Sequence, residues 1–287
     1  MSIHDNILIK IRDMKDSLTP VEKLVANYIL EHLEDIPHLS IKQLAQLTNT
    51  SDASVLRFCK TLGYSGYRGF IVSISASLGS MDETEKDQYT DIQPGDELPV
   101  IISNISRNNM KSIEDTLQVI DKNGIARAVQ VLRESKRIAF FGIGASGLVG
   151  IDAEQKFSRI NKMCHTYTDG HSQLTAATLL EKNDVAIFIS NSGRTGEILD
   201  AMEIAKKNGA CIIAITKYTK SELADKANIV LSISTPEMTI RSGAMGSRIA
   251  MLTVIDILFA GVASAEYKSV KKYLAKTHDI IASKHRN

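Results

Sequence analysis

Between residues 138 and 233 this chain alternates short apolar runs with stretches of helical pattern, and no other feature restricts its possible folds as much. The runs at 138–141, 164–168, 185–190, 211–216 and 229–233 have strand length and strand composition, and helix-length sequence separates each from the next. Strands connected through helices form parallel βαβ units. The expectation is an α/β domain with a doubly wound parallel sheet, closed by a long helix over about 244–265.

Residues up to about 78 read instead as short helices, so this part is expected to be all-α. The 287 residues exceed the roughly 100–200 of a typical single domain, and two domains follow as the first expectation. Ile7, Ile11 and Met14 recur at helical spacing. Thr19-Pro20-Val21-Glu22 then opens a helix with threonine as N-cap, proline at the first helical position and glutamate closing a capping box; its predicted buried stripe is Leu24, Val25, Tyr28 and Ile29. Residues 81–97 are acidic, contain Pro94-Gly95 and show no apolar period, which marks a linker. Helical periodicity from Val100 to about Glu134 leads into the sheet. The resulting division is 1–78 for the helical domain, 79–107 for the linker and 108–287 for the α/β domain.

Within the helical part, Ser40-Ile41-Lys42-Gln43 is a second capping box, starting a short helix that buries Ile41, Leu44 and Ala45. Thr48-Asn49-Thr50 forms a turn, and Ser51 caps a helix whose inward residues are Val55, Phe58, Cys59 and Leu62, with Gly63 as a left-handed stop. This is a helix-turn-helix layout, in which the second helix enters the DNA major groove with its N-terminal residues at the base edges. Ser51, Asp52, Ser54 and Arg57 are the base-edge candidates. An aspartate accepts from a cytosine amino group, and an arginine meets a guanine bidentately. Lys60, Tyr64, Tyr67 and Arg68 are candidate phosphate contacts. Bulk charge does not announce a nucleic-acid partner: the net charge is +1, and residues 1–78 hold eight Lys/Arg against eight Asp/Glu. The alternative for these helices is a small bundle that only dimerises.

Cys59, Cys164 and Cys211 are odd in number, widely spaced and outside any C-x-x-C pattern, which argues against a disulfide framework or a structural zinc site and points to a reducing, cytoplasmic setting. The start lacks the layout of a signal peptide, and Asp256 interrupts the longest apolar stretch, 251–263, so no membrane partner is expected.

Two strand-to-helix junctions carry the chemistry. Gly142-Ile143-Gly144-Ala145-Ser146-Gly147 matches G-x-G-x-x-G, and Asp169 follows at a distance that keeps a dinucleotide site open. The second junction, Ser190-Asn191-Ser192-Gly193-Arg194-Thr195-Gly196, is crowded with hydroxyls. Exposed amides at a helix N-terminus with neutral hydroxyl donors suit one phosphate monoester without a metal. Ser190, Ser192 and Thr195 are those donors, and Ser146 closes the other side. For Thr195 taken alone, helix capping is the simpler role.

Three motifs, S-D-A-S-V-L-R-F-C-K-T-L-G (51–63), G-I-G-A-S-G (142–147) and S-N-S-G-R-T (190–195), together resemble the RpiR family, a helix-turn-helix followed by a sugar isomerase (SIS) domain, over nearly the whole chain. The resemblance implies a phosphate-binding set of Ser146, Ser190, Ser192 and Thr195, with Gly144 and Asn191 in the same loops. Many members have glutamate where this chain has Arg194. D-A-E-Q-K-F-S-R-I, T-D-G-H and R-S-G-A-M-G-S-R are similar to MurR-type regulators, which respond to N-acetylmuramic acid 6-phosphate. By that similarity Asp169, His171, Gln173, Arg241, Ser242 and Arg248 face the sugar, although His171 also fits a structural role and both arginines also fit a subunit contact.

What the resemblance implies is a repressor of sugar-phosphate or amino-sugar catabolism that binds double-stranded operator DNA as a homodimer or homotetramer and takes a phosphorylated sugar as effector, with no cofactor, metal or catalytic residue. The rival from another class is an SIS isomerase or lyase. Glu154, Asp169, Glu197 and His171 offer acids and bases for it, but no spacing singles out a pair. A scaffolding module is a third reading, which the two-domain layout does not favour.

Overall fold

The computed structural model describes residues 7–79, 94–235 and 244–282. The chain divides into two compact units, one of residues 1–119 with 218–220 and the other of 120–217 with 221–287.

The first unit holds helices α1 (Ile7–Met14), α2 (Pro20–Glu31), α3 (Ile41–Leu47), α4 (Asp52–Thr61), α5 (Tyr67–Gly79) and α6 (Leu98–Val119). Its core gathers Ile7, Ile11, Val25, Ile29, Leu44, Val55, Phe58, Phe70 and Ile74, all fully enclosed. Both capping boxes form: Thr19 Oγ1 accepts from the Glu22 amide and Ser40 Oγ from the Gln43 amide, with each N3 side chain reaching back to its cap. One residue of the expected α2 stripe differs. Leu24 is 50% exposed, because the buried face is centred on Val25, Ala26 and Ile29 and turns through Glu22 rather than Leu24.

α6 buries polar groups. Ser112, Asp115 and Thr116 are enclosed, and Asp115 takes Arg12 of α1 at 2.7 Å and Lys111 at 3.4 Å. Burial alone would lower the Arg12 pKa, but Asp13 and Asp115 outweigh it and raise it. A buried charge stays ionised only when so paired. Of the stretch expected as linker, residues 80–93 lie outside the described residues and 98–107 are the first half of α6.

The second unit runs α7 (Lys122–Glu134), β1 (Ile138–Phe141), α8 (Ala145–Arg159), β2 (Cys164–Tyr167), α9 (Gly170–Thr178), β3 (Val185–Ile189), α10 (Gly196–Lys207), β4 (Cys211–Lys217), α11 (Glu222–Lys226), β5 (Ile229–Ile233), α12 (Met245–Ala265) and α13 (Tyr267–Ala282). The continuous helical period read over 100–134 is two helices. Asp121 ends the run by accepting the Asn123 amide at 2.9 Å as the N-cap of α7.

All five strands are parallel, in the order β2-β1-β3-β4-β5. Helices cover both faces, as the doubly wound expectation required. Phe140, Ile187, Ile213 and Leu231 pack with Leu132, Phe157, Val254 and Leu258 on one side. Ala139, Phe141, Phe188 and Ala214 pack with Ala177, Ile198 and Met202 on the other, where Phe141 and Phe188 stack 4.4 Å apart. α12 is long and apolar enough to cross a membrane by length and composition alone. Here Ala250, Met251, Val254, Ile255, Leu258 and Val262 of that helix are sealed in the unit's core, and exposed Asp256 pairs with Lys156 at 2.8 Å.

The chain leaves β1 toward β2 on one side and reaches β3 on the other, so β1 and β3 flank the point where the winding reverses. In open parallel sheets that point opens a crevice beyond the carboxyl ends of the strands.

Candidate functional site

A cavity of about 270 Å³ occupies that crevice. The junction after β1 contributes Ile143, Gly144, Ala145 and Ser146, and the junction after β3 contributes Ile189 to Ser192 with Thr195. Ala244, Ser247, Arg248 and Met251 of the α12 start complete the wall with Ile198. Three helix N-termini therefore converge here: α8 after Gly144, α10 after Thr195 and α12 after Ala244. None of these three caps has a side-chain hydrogen bond to its own helix. First-turn amides carry partial positive charge and suit an anion.

Hydroxyl positions follow from the loop geometry. Ser190 is buried at the end of β3, its Oγ accepting the Gly193 amide at 3.2 Å and lying 3.2 Å from Thr195 Oγ1. Thr195 occupies the N-cap position of α10 without capping it, so the simpler role considered for this residue is not the one it has. Ser192 is exposed, and its Oγ accepts the Arg194 amide at 3.3 Å. Across the cavity, Ser146 Oγ reaches, among the described residues, the Met251 sulfur at 4.0 Å, a weak acceptor. Half-buried Arg248 adds a guanidinium.

The sugar-facing set is divided. Arg248 lines the cavity; Asp169, His171 and Gln173 are not among its lining residues. Asp169 is the N-cap of α9, accepting the Ser172 amide at 3.0 Å and the Ser172 hydroxyl at 2.5 Å. Those bonds hold its carboxyl below the ordinary range. His171 is exposed on the first turn of α9. Gln173 is fully buried and donates from Nε2 to the Tyr167 and Gly142 carbonyls at 2.9 and 3.3 Å, tying together the ends of β2 and β1. Arg241 and Ser242 lie outside the described residues. Sequence reasoning missed Ala244, Ser247 and Met251, because only the packing of α12 across the sheet carries its first turn to the crevice. Ala244 does leave a mark, a left-handed conformation with φ 54° in a residue without the freedom of glycine.

In the first unit, α3 and α4 are joined by a tight turn in which Thr50 donates to the Ala45 carbonyl at 2.8 Å and Asn49 has φ 51°. Ser51 caps α4, its Oγ accepting the Ser54 amide at 3.2 Å and meeting the Ser54 hydroxyl at 2.9 Å. Val55, Phe58 and Cys59 point inward, and burial pushes the Cys59 thiol up to about 12. The outward face of α4 is Ala53, Leu56, Arg57 and Lys60, with Asp52 half-buried at its start. Ala53 and Leu56 were not singled out from the sequence, where an apolar residue at helical spacing reads as core. Of the phosphate-contact candidates, Lys60 and Arg68 are exposed. The tyrosines are engaged internally: Tyr64 Oη meets Ser73 Oγ at 2.7 Å, and Tyr67 Oη donates to the Leu39 carbonyl at 2.9 Å. Burial, with Cys59 alongside, pushes the Tyr67 hydroxyl up to about 12.

Comparison with known proteins accords with both halves. Residues 5–81 match the helix-turn-helix domain of the rpiR family, and residues 131–261 match the SIS domain. An HTH-type transcriptional regulator of Caldanaerobacter subterraneus subsp. tengcongensis is 42% identical over 277 residues, covering 96% of this chain and 97% of the relative. The HTH-type transcriptional regulator YbbH of Bacillus subtilis is 34% identical over 274 residues, covering 95% and 96%. Among solved structures, the Vibrio vulnificus NanR protein complexed with ManNAc-6P superposes with a TM-score of 0.62 at 27% identity, covering 98% of this chain and all of that one. The sugar isomerase domain of an RpiR transcription factor from Sphaerobacter thermophilus, at 21% identity and a TM-score of 0.57 over 64% of this chain, shares the fold of the second unit. The chain belongs to the rpiR family of helix-turn-helix transcriptional regulators with an SIS domain.

Proposed function

We infer that this regulator senses a phosphorylated sugar, of the amino-sugar class, in the crevice between β1 and β3, and that occupancy changes how its helix-turn-helix holds operator DNA. One observation carries the reading: hydroxyls from two junctions, three helix N-termini and one guanidinium meet around a single cavity of about 270 Å³. That volume lies just below the roughly 300 to 1,000 Å³ of drug-sized ligand pockets and favours one sugar phosphate over a dinucleotide. The relative of known structure that aligns over the whole chain was solved with ManNAc-6P.

The phosphoryl group is held by Ser146, Ser190, Ser192 and Thr195 with the amides of Gly144 and Asn191 beside them, and Arg248 meets its remaining charge. Asp169, His171 and Gln173 shape the neighbouring α9 start rather than the cavity wall. We read the protein as a sensor rather than an enzyme, supported by relatives along nearly the whole chain that are named transcriptional regulators. Arg57 and Lys60 on the outward face of α4 meet DNA together with Ser51, Asp52, Ser54, Tyr64 and Arg68. DNA reading is assigned to a domain over 1–78 and sensing to a domain over 108–287. Pairing of the sensing domains into a dimer or tetramer sets two reading heads on a symmetric operator. By the family resemblance the sign is repression relieved by the sugar phosphate, with the shift in DNA affinity equal to the ligand's differential affinity for the two states.

The test is thermal stability of the full chain with ManNAc 6-phosphate, N-acetylmuramic acid 6-phosphate and inorganic phosphate. A ligand at 100-fold over its Kd should add about 2.7 kcal/mol. The Ser190→Ala, Ser192→Ala double variant should still fold, with a cooperative melt, and lose that response. An unchanged response in the double variant would remove the assigned pocket, and turnover of any of these sugars would replace the sensor by an enzyme.

A further inference from the structure

α13 presents a row of unbalanced positive charge. Lys268, Lys271, Lys272 and Lys276 are all exposed. Spacings of three, four and eight residues from Lys268 put them on one face of the helix. The opposite face is anchored: Val270 is 3% exposed, Leu274 packs against the sheet's core, and Tyr273 and Thr277 are half-buried. The row is therefore presented by a helix fixed to the second unit. With a rise of 1.5 Å per residue, Lys268, Lys272 and Lys276 stand about 6 Å apart along the axis.

Nothing among the described residues neutralises the row. Glu266, just before α13, takes Lys162 and Arg133, and Asp279, three residues beyond Lys276, is a lone carboxylate beside the His278 ring at 3.5 Å that offsets at most one of the four charges. None of the four lysines pairs with a described carboxylate. Like charges three and four residues apart weaken a helix, and a polyanion laid along the row relieves that repulsion. Lysine, a flexible point charge without the planar fork of arginine, suits an anion whose charges recur along a line.

We propose that this face of α13 binds the phosphate backbone of double-stranded DNA without regard to sequence, as a second contact in addition to the reading helix. DNA is favoured over an acidic protein because the chain is a helix-turn-helix regulator whose residues 1–78 are charge-balanced, eight against eight. The sequence-independent part of DNA affinity comes from cations that displace counterions from phosphates, and α13 adds four to those that the reading head exposes, Arg57, Lys60 and Arg68 among them.

The experiment measures binding of the full chain to a random-sequence 40-base-pair duplex from about 50 to 200 mM salt, for the parent and for the variant with Lys268→Gln, Lys271→Gln, Lys272→Gln and Lys276→Gln. Each lost phosphate contact flattens the dependence of log K on log salt by about 0.9, so the variant should be shallower by about 2 to 3.5 and at least tenfold weaker at the lower salt. The same four positions changed to Arg should keep the parental slope, which separates charge from helix damage. An intact Gln variant with the parental slope and affinity overturns the proposal. So does poly-glutamate that binds the parent more tightly than the duplex and is lost in the Gln variant, since the face then serves an acidic protein. The phosphosugar response of the crevice should be unchanged in every variant.

Discussion

Gly193 carries two restrictions at once. Its φ is 60°, and a Cβ there would lie 2.3 Å from Ser221 Oγ and 2.9 Å from Thr216 Oγ1, both on buried residues. Its amide donates to Ser190 Oγ and its carbonyl accepts the Leu223 amide at 3.1 Å, so any movement to admit a methyl group drags the phosphate loop with it. Gly193→Ala is expected to destabilise the second unit by about 1–3 kcal/mol and to abolish the phosphosugar response. Melting curves with and without ManNAc 6-phosphate check both, and a variant with parental melting and response would contradict this account. The serines of this loop were legible in the sequence because hydroxyls crowded at a strand-to-helix junction have few other uses. The reason for the glycine was not, since the atoms that exclude a side chain belong to β4 and to the cap of α11.

At the scale of elements, one buried carboxylate sets the reading helix against its neighbour. Glu22 of α2 is 5% exposed and accepts from the Thr61 hydroxyl of α4 at 2.6 Å, besides closing its own capping box by accepting the Thr19 amide at 3.0 Å. Glu22→Ala leaves the Thr61 hydroxyl without that acceptor and removes the cap partner, and should weaken the first unit by about 1–3 kcal/mol. Hydrogen exchange should then quicken in α2 and α4 but not in the sheet; equal quickening in both would refute a local clamp. The capping half of this arrangement was readable from T-P-V-E, because a cap is a contact between residues three apart. The clamp half joins residues far apart in sequence, and no periodicity reports it. The same limit explains Leu24, assigned to the buried stripe by spacing and left outside by the face that α2 presents to α4.

For the whole molecule, acid is the condition that challenges both units together. Burial alone would raise the Glu22 pKa, but hydrogen bonds from Thr61 and Thr19 outweigh it and lower it. Asp184, fully enclosed, is likewise lowered against its burial by Arg137 and by the Glu181 amide at 2.8 Å. A carboxylate whose native pKa lies below its unfolded value stabilises the fold fully above the unfolded value, near 4, and loses that contribution as pH falls through the native one. Both units should therefore hold their stability from neutral pH down to about 4 to 5 and lose it below. Circular dichroism melts from about pH 7 to 3 test this. Asp184→Asn should lower the melting of the second unit at neutral pH and flatten its acid dependence, and an acid profile identical to the parent's would refute the assignment.

The sequence by itself determined the local structure: capping boxes, the helix-turn-helix, the positions of all five strands and the two junctions rich in hydroxyls and glycine. These are readable because each depends on residues within a few positions of one another, through a hydrogen bond to the next turn or a repeat of apolar side chains. Only the tertiary structure decided which junction residues face one cavity, that the start of α12 joins them, that Asp169 and Gln173 serve α9 and the strand ends, and that Ala53 and Leu56 look outward. Those outcomes depend on strand order and helix docking, where atoms distant in the chain compete for the same space, and a one-dimensional pattern carries no record of that competition.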